Sequence, residues 1–414
     1  MSSGSRLTDL GGPQECNCSD CRATVVLSSL ALYTGLLLSC SFIGACGGHS
    51  TAASTDPVTF TLRVYHEDTA AASILDVARV PHGWITLNEG GAPLTLYDDS
   101  LEAPTAWFGR RGNGPRDFMT PLNFFAGDFN DSAEVWDVGR HQRMAVSLRT
   151  GRTGDGERLL TDWGGGFVDG LRHLTGGRPL RLVRLDSGYL YQAQQGIAAR
   201  PSDLLNMALV RVRADGDVDT IFASRSDRQK TDQRTELPEV PLWSECADQS
   251  VLVYDPAHAD ITWYRMDGGT LGSAALGIER APLTDGDARA YMRVVLEDEM
   301  RRHGGMAPDD KAIEQAVSQV MKRARAVMPD SLPAIADLLC DRTHRAWVNI
   351  FDPAALPLGR GATWIRLSRS GARDTVQLPA DFHPIRITDE GMVGVQTDSL
   401  GVERLATLRI GVTE

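Results

Sequence analysis

From Val58 the chain alternates apolar and polar positions through Val58-Thr59-Phe60-Thr61-Leu62-Arg63-Val64-Tyr65, the signature of a strand with one buried face. A theme then recurs six times: an apolar strand, often led by glycine, a turn, a second strand, and a turn carrying Asp, Gly or Ser. Its copies couple Gly83–Leu87 with Leu94–Asp98, Glu134–Asp137 with Arg143–Leu148, and Gly188–Tyr191 with Ala208–Val212. They continue with Val251–Asp255 and Ile261–Met266, Arg345–Val348 and Thr363–Leu367, and Gly391–Val395 and Glu403–Leu408. Measured at Trp84, Val135, Leu190, Leu252, Trp347 and Val393, the steps are 51, 55, 62, 95 and 46 residues. A four-stranded propeller blade takes roughly 40–50 residues, so the step of 95 stands apart.

That step contains a stretch of different period, 283–329. Thr284-Asp285 reads as a helix start, and Ala288, Tyr291, Met292, Val295 and Leu296 then share one helical face. Gly304-Gly305 interrupts the pattern and Pro308-Asp309-Asp310 opens a second helix with Ile313, Ala316, Val317, Val320, Met321 and Ala324 on one face. Met328-Pro329 ends it. Without these 47 residues the long step becomes 48. The pattern therefore predicts an all-β six-bladed propeller over 57–414 with a two-helix insertion at 283–329, closed by pairing of Val58–Tyr65 with the last blade.

One stretch, Phe108-Gly109-Arg110-Arg111-Gly112-Asn113-Gly114-Pro115-Arg116-Asp117-Phe118, resembles the NHL-related six-bladed propellers, in particular a bacterial lipoprotein group with the signature G-(K/R)-x-G-x-G-P-G-E-F. Arg116-Asp117 stand where that signature has Gly-Glu. Asp137, Arg143 and Gly151, Asp341-Arg342 with Trp347-Val348, and Gly394-Val395 through Arg404 are similar to the same group. The resemblance implies the fold and an exported lipoprotein. It implies no activity, since members of the group are mostly without an assigned one and fold does not carry function.

Ahead of the repeats, Thr24–Cys46 is free of charge and long enough to be a membrane-insertion signal. It ends Ile43-Gly44-Ala45-Cys46, which looks like a bacterial lipobox: an aliphatic residue, two small residues and the cysteine that receives lipid. Leu37-Leu38-Ser39-Cys40 is a weaker match. The expected organisation is an export and anchor segment at 1–46 lipidated at Cys46, a flexible tether at 47–56, then the propeller. An uncleaved transmembrane helix and an ordinary cleaved signal are the alternatives. Asp9, Glu15 and Asp20 deny the segment before Arg22 a clear positive region, and the trio Cys16, Cys18 and Cys21 lacks a fourth zinc ligand nearby.

Composition adds limits rather than a function. A net charge of −12 argues against a nucleic-acid partner. Of seven cysteines only Cys246 and Cys340 follow residue 46, either a single disulfide or two buried thiols. The nine histidines have no metal-ligand spacing, there is no G-x-S-x-G elbow, and Gly164-Gly165-Gly166 is no dinucleotide fingerprint. Most of the eight tryptophans sit mid-strand, where packing is expected.

Two features point to chemistry. Arg110, Arg111, Asn113 and Arg116 among glycines form a candidate anion-binding loop, with His141 in a turn on the same side. The competing reading is a blade-connecting turn plugged by Phe118. Asp137, Asp255 and Asp341 recur just after strands. Six-bladed calcium lactonases gather carboxylates near the axis, so a Ca2+ site is one reading and turn capping the other. The expected function is a binding module on the periplasmic or outer-membrane side, held to the membrane by lipid or helix and facing a protein, peptide or glycan. It has no assigned cofactor or catalytic residue. The alternative is a divalent-cation-dependent hydrolase or lyase with an axial active site.

Overall fold

Turn chemistry and strand pairing divide the chain into six sheets around an axis. The computed structural model describes residues 58–412, except 65–72, 100–102, 141, 158–180, 187, 196–205, 216, 225–240, 305–308, 326–327, 356–358 and 400. The expected signal, lipidation site and tether at 1–56 lie outside the described residues.

Blade 1 holds β1's successors in order: β2 (Ile74–Val80), β3 (Gly83–Asn88), β4 (Leu94–Asp98) and β5 (Pro104–Phe108), where β1 is Val58–Val64. Blade 2 holds β6 (Pro121–Phe124), β7 (Ser132–Asp137) and β8 (Gln142–Ser147), its outer edge supplied by bridges from Thr153 and Glu157 to Val146 and Arg143. Blade 3 is β9 (Arg181–Leu185), β10 (Gly188–Gln195), β11 (Asn206–Arg213) and β12 (Val218–Ala223). Blade 4 is β13 (Leu242–Glu245), β14 (Val251–Asp255), β15 (Asp260–Tyr264) and β16 (Thr270–Ala275). Blade 5 is β17 (Ile335–Cys340), β18 (Ala346–Phe351), β19 (Arg360–Leu367) and β20 (Arg373–Gln377). Blade 6 is β21 (Phe382–Thr388), β22 (Gly391–Thr397) and β23 (Glu403–Val412), completed by β1.

The six-bladed propeller and its two-helix insertion are as the pattern predicts. β1 closes the ring by antiparallel pairing with β23, from Val58 opposite Val412 to Val64 opposite Ala406. All six copies of the strand theme fall on the second and third strands of their blades. The recurrent leading glycine has a steric cause. Gly83 has φ +153°, and a Cβ there would lie 1.9 Å from the carbonyl oxygen of Tyr97 on the neighbouring strand. Gly188 and Gly391 repeat the contact at 1.9 and 2.1 Å, so any side chain would push the hairpin open.

Six apolar clusters hold the ring, one at each blade junction. Ile85, Leu87 and Leu94 of blade 1 meet Phe124, Val135 and Met144 of blade 2. Trp263 and Ile261 of blade 4 meet Leu338 and Val348 of blade 5, and Trp84 and Tyr97 of blade 1 meet Val393 and Leu405 of blade 6. At roughly 1.5–3 kcal/mol for each large side chain buried, these junctions outweigh any surface ion pair in holding neighbouring blades together.

The insertion forms α1 (Asp285–Gly304) and α2 (Asp310–Ala324). Thr284 and Asp287 form a capping box: Asp287 N–H donates to Thr284 Oγ1 (3.1 Å) and Thr284 N–H donates to Asp287 Oδ2 (3.1 Å). Asp309 caps α2 by accepting from Lys311 N–H. Ala288, Met292, Ile313, Val317 and Met321 make a small core of their own, with Phe351 of blade 5 packed against it.

Cys246 and Cys340 form a disulfide, the outcome that the sequence left open. It joins the ends of the first strands of blades 4 and 5 and closes a loop of sequence separation 94 that contains the helical pair. Loop-closure entropy at that length stabilises by up to about 4–5 kcal/mol, with about 2–4 usual. Thermal unfolding with and without reductant is expected to show a lower midpoint for the reduced protein. The Cys246→Ala/Cys340→Ala variant is expected to match the reduced form and to ignore reductant.

Candidate functional site

The first strand of each blade lines the axis, and four of these strands carry a β-bulge near the same level. Register slips between Ile74 and Asp76, Pro121 and Asn123, Ile335 and Asp337, and Pro384 and Arg386. A bulge re-aims the residue that follows it, here a polar one in each case. These residues stitch neighbouring blades. Asp76 accepts the Phe124 N–H (2.9 Å), the Asn123 side chain donates to Leu182 O (2.8 Å), and Arg386 Nε donates to Val77 O (2.6 Å). On blade 4, Ser244 Oγ accepts the Cys340 N–H of blade 5 (3.2 Å).

Arg386 does more than join neighbours. From blade 6 it meets both Asp76 oxygens of blade 1 (3.1 Å each) and Glu245 Oε1 of blade 4 (3.4 Å). Blades 4 and 6 are not adjacent, so this side chain crosses the central channel. A Cβ at Gly127 of blade 2 would lie 3.2 Å from Arg386 Nη1, which explains the glycine there. The arginine and Asp76 are only 17% and 10% exposed. Burial works against the Arg386 charge, but the charges of Asp76 and Glu245 outweigh it and hold the guanidinium protonated.

A second group lies on the first strands of blades 5 and 6. His383 Nε2 lies 3.0 Å from Asp337 Oδ2, and Arg360 lies 3.8 Å from the same oxygen. Burial raises the Asp337 carboxyl, yet the His383 hydrogen bond and the Arg360 charge win and hold it below the usual carboxylate range. Burial pushes His383 down, against the pull of Asp337. The geometry thus describes a neutral imidazole donating from Nε2 to a carboxylate, a pairing of the kind used to move protons. At the opposite mouth, Arg342 of blade 5 pairs with Asp389 of blade 6 (2.9 Å) and approaches Asp128 of blade 2 (3.9 Å).

The arginine loop has a different organisation from the axis. Asp117, buried, is its centre: it accepts from Arg110 Nε and from the Gly114 N–H (2.9 Å), and the Arg110 hydrogen bond holds its carboxyl below the usual range. Arg111 donates to Asn88 O (2.7 Å) and Arg116 to Asp155 (3.1 Å). Arg140 donates to the carbonyls of Gly112 and Gly114. Phe118 is fully buried, as a plug should be, and Asn113 is exposed. All three arginines therefore have a partner within the protein. His141 and Gly164–Gly166 lie outside the described residues.

The strand-end aspartates are turn caps. Asp137 accepts the N–H groups of Met119 (2.6 Å) and Thr120 (2.9 Å). Asp341 accepts from Thr343 N–H, Arg345 N–H and Trp347 Nε1, and Asp255 from Ala257 N–H. Their oxygens serve local backbone and side-chain donors rather than converging on a common point. Among the described residues six tryptophans are buried in strands, whereas Trp107 is 57% exposed on the outer strand of blade 1.

Asp76, Glu245, Asp337, His383 and Arg386 were not singled out from the sequence. The available signal was a polar residue inside an otherwise apolar first strand, as in Ile74-Leu75-Asp76-Val77.

No described protein family and no curated protein matches the chain. Solved structures do show similar folds. A Bacteroides fragilis protein with the provisional name exported protein has 10% identity and a TM-score of 0.49, covering 87% of this chain and 98% of that one. A member of the DUF4221 family from Bacteroides vulgatus has 9% identity and a TM-score of 0.49, covering 86% and 97%. The virginiamycin B lyase of Staphylococcus aureus has 7% identity and a TM-score of 0.40, covering 85% and 99%. These are likenesses of fold alone.

Two outcomes follow from the axial groups. Arg386→Met leaves Asp76 and Glu245 facing each other without a cation and is expected to cost about 3–5 kcal/mol in urea unfolding, partly restored by adding Asp76→Asn. His383 has a folded pKa below its unfolded value of about 6.5, so the unfolded chain takes up a proton that the folded one refuses. Stability should therefore fall as pH drops below about 6.5, with Asp337 adding a further loss in the acid range below about 3.9. Urea midpoints of His383→Gln should be flatter than wild type between about pH 7 and about pH 5.

Proposed function

We propose that the protein is an exported, lipid-anchored propeller of the NHL-related kind that binds a protein, peptide or glycan on one face. The observation that carries this reading is the asymmetry of the two faces. First strands run from one face to the other, and short turns such as 81–82, 246–250, 341–345 and 389–390 join them to the second strands at the far side. The connections 109–120 and 276–334, the second with both helices, leave from the near side. Between them the channel is crossed by Arg386, which supplies the positive charge beside Asp76 and Glu245. A binding surface of loops over a filled axis suits recognition better than turnover of a substrate inside the ring.

Export is supported by the Thr24–Cys46 run and by the Cys246–Cys340 disulfide, a bond that persists in oxidising compartments. Lipidation at Cys46 rests on Ile43-Gly44-Ala45-Cys46. Among the described residues no helix is long and apolar enough to cross a membrane.

A second reading has one specific observation in its favour. The His383–Asp337 pair near the axis is the arrangement an acid–base hydrolase or lyase needs. The two readings separate on metal content. Elemental analysis of the detergent-solubilised full chain is expected to find no stoichiometric divalent ion. A stoichiometric ion whose chelation abolishes a hydrolase or lyase activity overturns the binding reading. For the anchor, labelled-palmitate incorporation should be lost in Cys46→Ala and kept in Cys40→Ala; a retained signal in Cys46→Ala refutes the assignment.

A further inference from the structure

A cavity of about 230 Å³ opens between blade 6 and blade 1, away from the axis, lined by Arg63, Arg79, Trp84, Asp99, Glu390 and Arg409 with Thr407 among its neighbours. Arg79 belongs to its wall: it donates to Asp99 (2.6 Å) and to Gly83 O (2.9 Å) and lies 5.0 Å from the Trp84 ring centre. Arg63 and Arg409 are different. Arg63 sits opposite Thr407, and Arg409 opposite Thr61, so the two arginines are diagonal neighbours on one face of the β1–β23 pair. The other face, with Leu62, Val64, Leu408 and Ile410, packs against the junction with blade 5. Strand alternation thus obliges both guanidinium groups to face the cavity side. Both residues are exposed, and among the described residues neither has an ion-pair partner.

Two like charges held side by side on a sheet repel each other unless an anion lies between them. In a chain of net charge −12 the pairing is conspicuous. Guanidinium forks match the oxygens of phosphate, and phosphate contacts are a common use of arginine. Glu390 at the rim disfavours a doubly charged ligand and suits a neighbouring ammonium or hydroxyl donor. The volume lies below the roughly 300 Å³ of drug-sized pockets, so a headgroup-sized ligand fits and a larger one does not. We propose that this cavity binds a phosphodiester that carries an adjacent ammonium or hydroxyl group, with Arg63 and Arg409 on the phosphate and Glu390 on the donor.

Such a group occurs both in soluble glycerophosphodiesters and in phospholipid headgroups. The place of the cavity favours the lipid, a point that rests on the anchor reading. Thr388–Gly391 and Gly83 are hairpin residues of the same face, and β1 enters the ring at Val58 opposite the end of β23. The chain from Cys46 to Val58 spans at most about 40 Å. A lipid on Cys46 would keep the face from which β1 begins, and with it the cavity, close to the membrane.

The test uses the full chain in phosphate-free non-ionic detergent, titrated calorimetrically with glycerophosphoethanolamine. Wild type is expected to bind, and Arg63→Gln/Arg409→Gln to bind at least about tenfold more weakly. Glycerophosphocholine keeps the glycerol hydroxyls but has no N–H on its quaternary nitrogen; it should bind more weakly than glycerophosphoethanolamine if Glu390 prefers the ammonium, and Glu390→Gln should erase that preference. No binding by wild type, or equal binding by the double variant, overturns the proposal. Flotation with phosphatidylcholine vesicles, with and without phosphatidylethanolamine, separates the sources. A phosphatidylethanolamine-dependent gain lost in the double variant assigns the lipid, whereas headgroup binding without that gain assigns a soluble phosphodiester. In Cys46→Ala headgroup affinity should persist even if vesicle anchoring is lost, so a failed anchor and a failed cavity give different results.

Discussion

Closure of the ring by β1 on β23 is the constraint from which the other features follow. Sheets in a propeller share no backbone ladder with their neighbours; each ladder ends within its own blade. What holds the circle is side-chain packing at six junctions, one long-range strand pairing between Val58–Val64 and Ala406–Val412, the Cys246–Cys340 disulfide and scattered hydrogen bonds between neighbouring blades. That pairing completes blade 6, which in turn seats Val393 and Leu405 against Trp84 and Tyr97 of blade 1. Only then does Arg386 reach Asp76, and only then do Arg63 and Arg409 share a face. Large apolar burial sets the circle, and a few polar groups fix its register.

Charge on the axis follows from the same geometry. Six first strands converge there, so a polar residue buried among them needs a partner on another blade. Asp76 and Glu245 find theirs in Arg386, and Asp337 finds His383. The first group is a fixed structural cation among carboxylates. The second includes a histidine whose burial pushes its pKa down and favours the neutral ring. The difference between them is why the axis supports a recognition reading overall while leaving one acid–base pair that a turnover reading would use.

The arginine loop shows how a motif can be organised for its own sake. Arg110 and the Gly114 N–H both point at Asp117, the residue standing where the resembling signature has Glu. The motif therefore keeps an acid at its centre, and its glycines leave room for that carboxylate: a Cβ at Gly112 or Gly114 would lie 2.6 Å from Asp117 Oδ2. The sequence showed basic residues among glycines; the fold shows that a neighbouring acid had already claimed one of them.

Period and turn chemistry by themselves determined six blades, the helical pair and the closing strand. The second strand of a blade is buried on both faces and reads as an apolar run, as in Val251–Asp255, while the third alternates, with Ile261 and Trp263 buried and Thr262 and Tyr264 partly exposed. First strands were illegible, because a bulge breaks the alternation at Asp76, Asn123, Asp337 and Arg386, and a polar residue inside an apolar run reads as a loop. Outer strands such as β5 and β20 have one face in solvent and too little apolar character to stand out. Which polar groups meet was decided by tertiary structure alone. Asp76 and Arg386 are 310 residues apart, and Cys246 and Cys340 are 94 apart. Local spacing carries no information about such meetings, because the angle swept around the ring brings them together.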